Sequence, residues 1–163
     1  MKVVVFDQAS SKSGYSIWFD EKLVDSGVID HHKNKDSEER FKEMYQDICA
    51  KINAESPDVV ILEDTQLQSG NAATYKMLCQ LQGTIIGMCY MSNIRFKIMS
   101  PSQWRKLLGF SIGPKVTRPE LKAQSVAYVK SEYGIECTDD ESDAVCIGAA
   151  FHKIKTDDID IEI

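Results

Sequence analysis

The chain alternates between short apolar runs and longer amphipathic stretches, and each change of period marks an element. Residues 2–7 (KVVVFD) form a β-branched run; after the turn-like QASSKSG the chain resumes as YSIWF and then KLVDSGVID. This pattern predicts three strands joined by tight turns, an antiparallel meander. Phe41, Met44, Tyr45, Ile48 and Ile52 then recur at helical spacing, with Asp36 and Glu39 as a capping pattern in front and Ser56-Pro57 as the stop. The run VVILE at 59–63 is short enough for a buried strand. A polar loop containing Gly70 and Asn71 follows, then an apolar helix over about 72–91. Gly83 and Gly87 in that helix read as points of close packing. Residues 94–99 alternate as a further strand, Pro101 breaks it, and a short helix around Trp104 leads into the Gly-Pro turn at 109–114. Thr117 and Glu120 form a capping-box pattern for a helix to about Lys130, with Pro119 tolerated in its first turn. Thr138 and Glu141 repeat the pattern for a last helix to about Lys153.

A three-strand meander, a helix, a strand, a helix, a strand and closing helices make a mixed sheet covered by helices, so the fold class is α/β. The 163 residues suffice for one domain with its own core, expected over 1–156, with 157–163 as an acidic tail. No segment has the uninterrupted apolar run of about 18 residues that a membrane span needs. The opening MKVVVFDQ runs straight into a strand and does not read as a signal peptide. Cys49, Cys79, Cys89, Cys137 and Cys146 show no Cys-x-x-Cys spacing, which fits reduced thiols in a cytoplasm. His31, His32 and His152 are explained by an exposed turn and a helix end, so no zinc site is expected.

The formal net charge of −6 argues against a nucleic-acid partner until its distribution is considered. Between Arg95 and Lys130 lie eight bases and a single acid, Glu120, while the acids collect at 36–64, 136–143 and 157–162. That asymmetry favours a polyanion, with Arg105, Lys106, Lys115, Arg118 and Lys122 as the candidate grip on a phosphate backbone.

Four acids stand where solvation alone does not account for them. Asp7 closes the strand VVVF, Glu63 closes VVIL, and Asp140 and Asp143 lie in the first turns of the last helix. If the two strands are parallel neighbours, Asp7 and Glu63 emerge side by side at the carboxyl end of the sheet, where α/β folds place ligands. Asp140 and Asp143 are three apart and share a helix face. Asp143 opens the apolar segment DAVCIGAAF, where a lone carboxylate is costly unless paired. Clustered carboxylates repel and take up protons unless a cation compensates them, and an oxygen-only ligand set selects hard ions, Mg²⁺ with Mn²⁺ as a substitute. Two such ions about 4 Å apart activate water on one side of a phosphodiester and stabilise the leaving oxygen on the other. No Gly-x-Ser-x-Gly motif or other nucleophilic triad competes with this chemistry.

The ordered set FDQASSKSGYSI, VVILED and DDESDAVCIGAAF resembles the RuvC family of Holliday junction resolvases over residues 2 to about 152. Members open with a strand followed by Asp-Pro-Gly-Ser-x-x-x-Gly-Tyr, carry a second strand ending in Glu, and finish with Asp-x-x-Asp-Ala at the start of a helix. The resemblance implies an RNase H-like five-stranded sheet, three antiparallel strands plus two parallel ones, flanked by helices. It implies Asp7, Glu63, Asp140 and Asp143 as metal-binding catalytic residues. Lys122, in ELKAQSVAYV, matches a helix-borne lysine near the scissile phosphate, where it stabilises the transition state; a solvated lysine that only helps to bind DNA is the plainer alternative. Also implied is a homodimer that cuts branched DNA through two metal sites, leaving 5′-phosphate and 3′-hydroxyl ends. Two segments depart from the pattern. Gln8 and Ala9 replace Pro-Gly, and Asp64, Thr65, Gln66, Leu67 and Gln68 stand where an aromatic wedge enters the junction, so forks and flaps are expected as substrates beside four-way junctions. Other readings are an RNase H-type nuclease on RNA–DNA hybrids, a non-catalytic module that binds branched DNA, and an actin-like ATPase. The last is disfavoured by one small domain without a second phosphate loop.

Overall fold

The computed structural model describes residues 1–67 and 71–154. Gln68 and Gly70 of the polar loop and the acidic stretch 157–163 lie outside the described residues. The elements in chain order are β1 (Lys2–Asp7), β2 (Lys12–Phe19), β3 (Lys22–Asp30), α1 (Ser37–Glu55), β4 (Val59–Glu63), α2 (Ala72–Met91), β5 (Arg95–Met99), α3 (Pro101–Leu107), α4 (Arg118–Tyr133) and α5 (Asp139–His152). The strands form one sheet in the order β3-β2-β1-β4-β5. β1–β2 and β2–β3 pair antiparallel, β1–β4 and β4–β5 parallel. This is the mixed five-stranded sheet that the alternation predicts. No helix among the described residues is long and apolar enough to cross a membrane.

The central strands read as unbroken apolar runs because both of their faces are covered. Val3 and Val5 of β1 and Val59 and Ile61 of β4 pack with Trp18, Trp104, Val129 and the apolar length of α5. Val4, Phe6, Val60 and Leu62 point the other way, against Met44, Ile48 and Ile52 of α1 and Leu81, Ile85 and Cys89 of α2. The strand period of two thus divides one hydrophobic run between two cores.

Helix ends follow the caps in the sequence. Asp36 accepts from the backbone N–H groups of Glu38 and Glu39. Thr117 and Glu120 complete a reciprocal capping box. Thr138 caps α5 through Glu141 N, while the Glu141 carboxylate accepts from Ser26 Oγ of β3 at 2.8 Å, tying the start of α5 to the meander. Three details differ from the sequence expectation. β2 begins at Lys12, inside the turn-like segment, because Lys12–Gly14 find partners on both sides, Asp30–Val28 in β3 and, for Gly14, Asp7 in β1. α4 runs on to Tyr133 and stops at Gly134, whose φ of 70° is the left-handed conformation suited to a helix C-cap. Gly83 and Gly87 do not mark close packing: an added Cβ at either meets nothing within 4 Å.

Two close approaches, at Gly14 and Gly148, occur where α5 lies on β2. A Cβ on Gly148 would stand 2.1 Å from the Trp18 indole nitrogen. That nitrogen donates to Ser16 Oγ (2.9 Å), which donates in turn to the carbonyl of Ala144 (2.8 Å). Small residues and one buried hydrogen-bond relay therefore press the first turns of α5 onto the end of the sheet where β1 and β4 finish.

Candidate active site

Each site carboxylate is carried by an element whose end the packing fixes. The parallel register Phe6↔Leu62 brings the next residues, Asp7 and Glu63, out beside one another. Asp140 and Asp143 descend from the first turns of α5. All four line one open cavity of about 520 Å³, which Lys12, Arg105, Arg118 and Lys122 also line.

The electrostatics are those of anions held too close together. Burial, followed by the charges of Glu63 and Asp143, pushes the Asp7 carboxyl well above the ordinary carboxylate range. Burial also raises Glu63, against the opposing effect of a hydrogen bond from Trp104. Asp143 is raised chiefly by burial, while Ser125, Arg105 and Lys122 pull the other way. It is only 6 % exposed, and its Oδ1 has no hydrogen-bond partner. An orphaned carboxylate oxygen in a buried position calls for a cation or a proton. Among the described residues no three His, Cys, Asp or Glu side chains are drawn into a closed ion-binding group; the four acids ring an open cavity instead. Their all-oxygen donor set, mutual repulsion and orphaned oxygen nevertheless fit a hard divalent cation.

Lys122 reaches into the cavity from α4, with Nζ 3.0 Å from Asp139 and 3.4 Å from Asp140. Burial alone would lower its pKa; the hydrogen bond to Asp139 and the charge of Asp140 outweigh that and raise it, so it stays a cation. Of the other bases singled out by sequence, Arg105 and Arg118 line the cavity, whereas Lys106 and Lys115 are exposed and do not. Arg105 lies over the ring of Trp104, its guanidinium carbon 4.4 Å from the centroid.

Sequence reasoning missed four residues here. Lys12 lines the cavity from β2 and pairs with Asp30 at 3.1 Å; its sequence context is that of a turn. Trp104, fully buried, donates from Nε1 to Glu63 Oε1 at 2.9 Å. Gln8 and Gln82 donate to the Glu63 carbonyl at 2.5 and 2.9 Å. Only Gln8 left a trace in the sequence, as a polar residue where the resembling pattern has proline. In the loop after β4, Asp64, Thr65 and Gln66 border the cavity.

No family model matches the chain. A curated relative, the crossover junction endodeoxyribonuclease RuvC of Caldicellulosiruptor saccharolyticus, is 26% identical over 156 residues, covering 90% of this chain and 89% of the relative. Among solved structures, T. thermophilus RuvC in complex with a Holliday junction substrate superposes with a TM-score of 0.73 at 13% identity, covering 94% of both chains. Fowlpox virus resolvase with its Holliday junction DNA gives 0.59 at 21% identity, covering 93% of both. The chain is similar to RuvC in both sequence and fold. The likeness to T. thermophilus RuvC covers 94% of this chain, and the expected RNase H-like fold holds.

Proposed function

We propose that this chain is a metal-dependent, structure-selective endonuclease that cleaves Holliday junctions and other branched DNA. The observation that carries the reading is the meeting of Asp7, Glu63, Asp140 and Asp143 in one cavity whose rim is basic. Acids so placed oppose a polyanion unless cations intervene, so a pure DNA-binding module gains nothing from them. The four carboxylates would hold Mg²⁺, with Mn²⁺ as a substitute. Such ions, when bound, supply the charge that activates water and stabilises the leaving oxygen.

The remaining groups bind and orient. Lys122, kept cationic by Asp139 and Asp140, offers its ammonium to the phosphate beside the acids. Lys12, Arg105 and Arg118 hold the backbone, a contact that carries no base readout. Asp64, Thr65 and Gln66 border the cavity without an aromatic ring, which favours tolerance of forks and flaps beside four-way junctions. A homodimer would place two such cavities across one branched substrate.

The deciding experiment is cleavage of a labelled four-way junction beside fork, linear duplex and RNA–DNA hybrid, in Mg²⁺ and in EDTA, by wild type and Glu63→Gln. Cleavage of branched DNA by wild type in metal alone, with Glu63→Gln inactive, is the expected result. Preferential cutting of the hybrid would transfer the chain to the RNase H class, and binding without cutting in either Mg²⁺ or Mn²⁺ would make it a binding module.

A further inference from the structure

Glu63 is held by more than its strand. Its backbone carbonyl accepts from two buried side-chain amides, Gln8 beyond the end of β1 and Gln82 on α2, at 2.5 and 2.9 Å. Its Oε1 accepts from the indole of Trp104 on α3, at 2.9 Å. Gln8 and Gln82 are 5 % and 8 % exposed and Trp104 is fully buried. Placing two amides in the interior is costly unless they are bonded, and both of these converge on one carbonyl. Three side chains from distant parts of the chain thus fix a single glutamate.

From this geometry we infer that Trp104, Gln82 and Gln8 are positioning residues that hold Glu63 in one orientation, with Oε1 taken by the indole and Oε2 left for the cation. The inference rests on the proposed metal-dependent reading of the site. Trp104 is well placed for the task because its own position is fixed. Ser100 follows β5 directly and caps α3 through Gln103 N, and the ring packs edge-on against Phe110 at 5.9 Å between centroids. The indole N–H therefore meets Glu63 at a set point and removes rotamer freedom that the free carboxylate would otherwise lose on binding an ion. Hydrogen bonds of this kind to a metal-ligating group are worth about ten- to a hundred-fold in metal affinity.

The inference is tested on the full chain without DNA, by titrating Mn²⁺ and reading the free ion from its electron paramagnetic resonance signal. Trp104→Phe keeps an aromatic face for Arg105 and removes the N–H donor; Gln82→Met keeps the side-chain length and removes an amide. On chains shown by circular dichroism to be folded, Trp104→Phe is expected to weaken Mn²⁺ binding about ten-fold or more, and Gln82→Met by a smaller factor in the same direction. Should Trp104→Phe not fold, Gln82→Met carries the test. Affinity within about two-fold of wild type in the folded variants, with Glu63→Gln clearly impaired, overturns the positioning role and leaves the metal site standing. Failure of wild type itself to bind Mn²⁺ overturns the metal reading, and the positioning role falls with it.

Discussion

The carbonyl oxygen of Asp140 occupies the space that a side chain on Gly14 would need: a Cβ there would stand 1.8 Å from it and 2.6 Å from its carbon. The glycine that resembles a turn residue in sequence is the bearing surface on which the acid-carrying end of α5 rests.

Gly14→Ala must therefore lift α5 or bend β2, and neither backbone yields cheaply. Overpacking of this kind typically costs about 1–3 kcal/mol, and we expect the upper end of that range together with loss of cleavage. Gly83→Ala is the matched control, since that glycine is helical and an added Cβ meets nothing within 4 Å. It should stabilise the chain by up to about 1 kcal/mol. Thermal melts of the two variants should move in opposite directions from wild type.

Asp7→Asn should stabilise the metal-free protein. The Asp7 carboxyl has a folded pKa raised well above the ordinary range, so between the two values the folded state binds more protons than the unfolded state. Stability then falls as pH climbs from the ordinary carboxylate range through the raised one. In EDTA near pH 8 the variant should melt above wild type by a few degrees, each kcal/mol being worth about 2–4 °C in a domain of this size. The gap should narrow toward pH 5. Mg²⁺ should reverse the order by stabilising wild type alone. A variant that melts below wild type in EDTA at the higher pH contradicts the account.

The bases that line the cavity should matter more to DNA than those outside it. Neutralising Lys12 or Lys122 with Met should lower the salt dependence of junction binding by about one phosphate contact each. Lys106→Ala and Lys115→Ala should change it less, since both side chains stand exposed outside the cavity. Binding isotherms in EDTA at several salt concentrations measure the slopes without cleavage.

The sheet and the four acids were legible because they are written in local terms. A β-branched run ending in an acid, twice, and an acid pair at a capped helix start survive in one dimension. Lys12 was hidden because Lys-Ser-Gly has the composition of a turn, and only pairing with β1 and β3 makes it a strand. Trp104 and Gln82 were hidden for another reason. A buried indole looks like core and an amide in an apolar helix looks like an interruption; their meaning lies in the Glu63 atoms that they reach across the fold. Charge density likewise located the basic segment without saying which of its members face the cavity, so Lys106 and Lys115 were grouped with Arg105, Arg118 and Lys122.

The acids come from the first strand, the fourth strand and the last helix, and β1 meets β4 only after the meander and α1 have been laid down between them. Bringing segments of such long sequence separation together costs loop-closure entropy and slows folding. A ribosome-bound chain still lacking α5 carries only two of the four acids. The capacity to cut DNA would then arrive only once the last helix has joined the sheet.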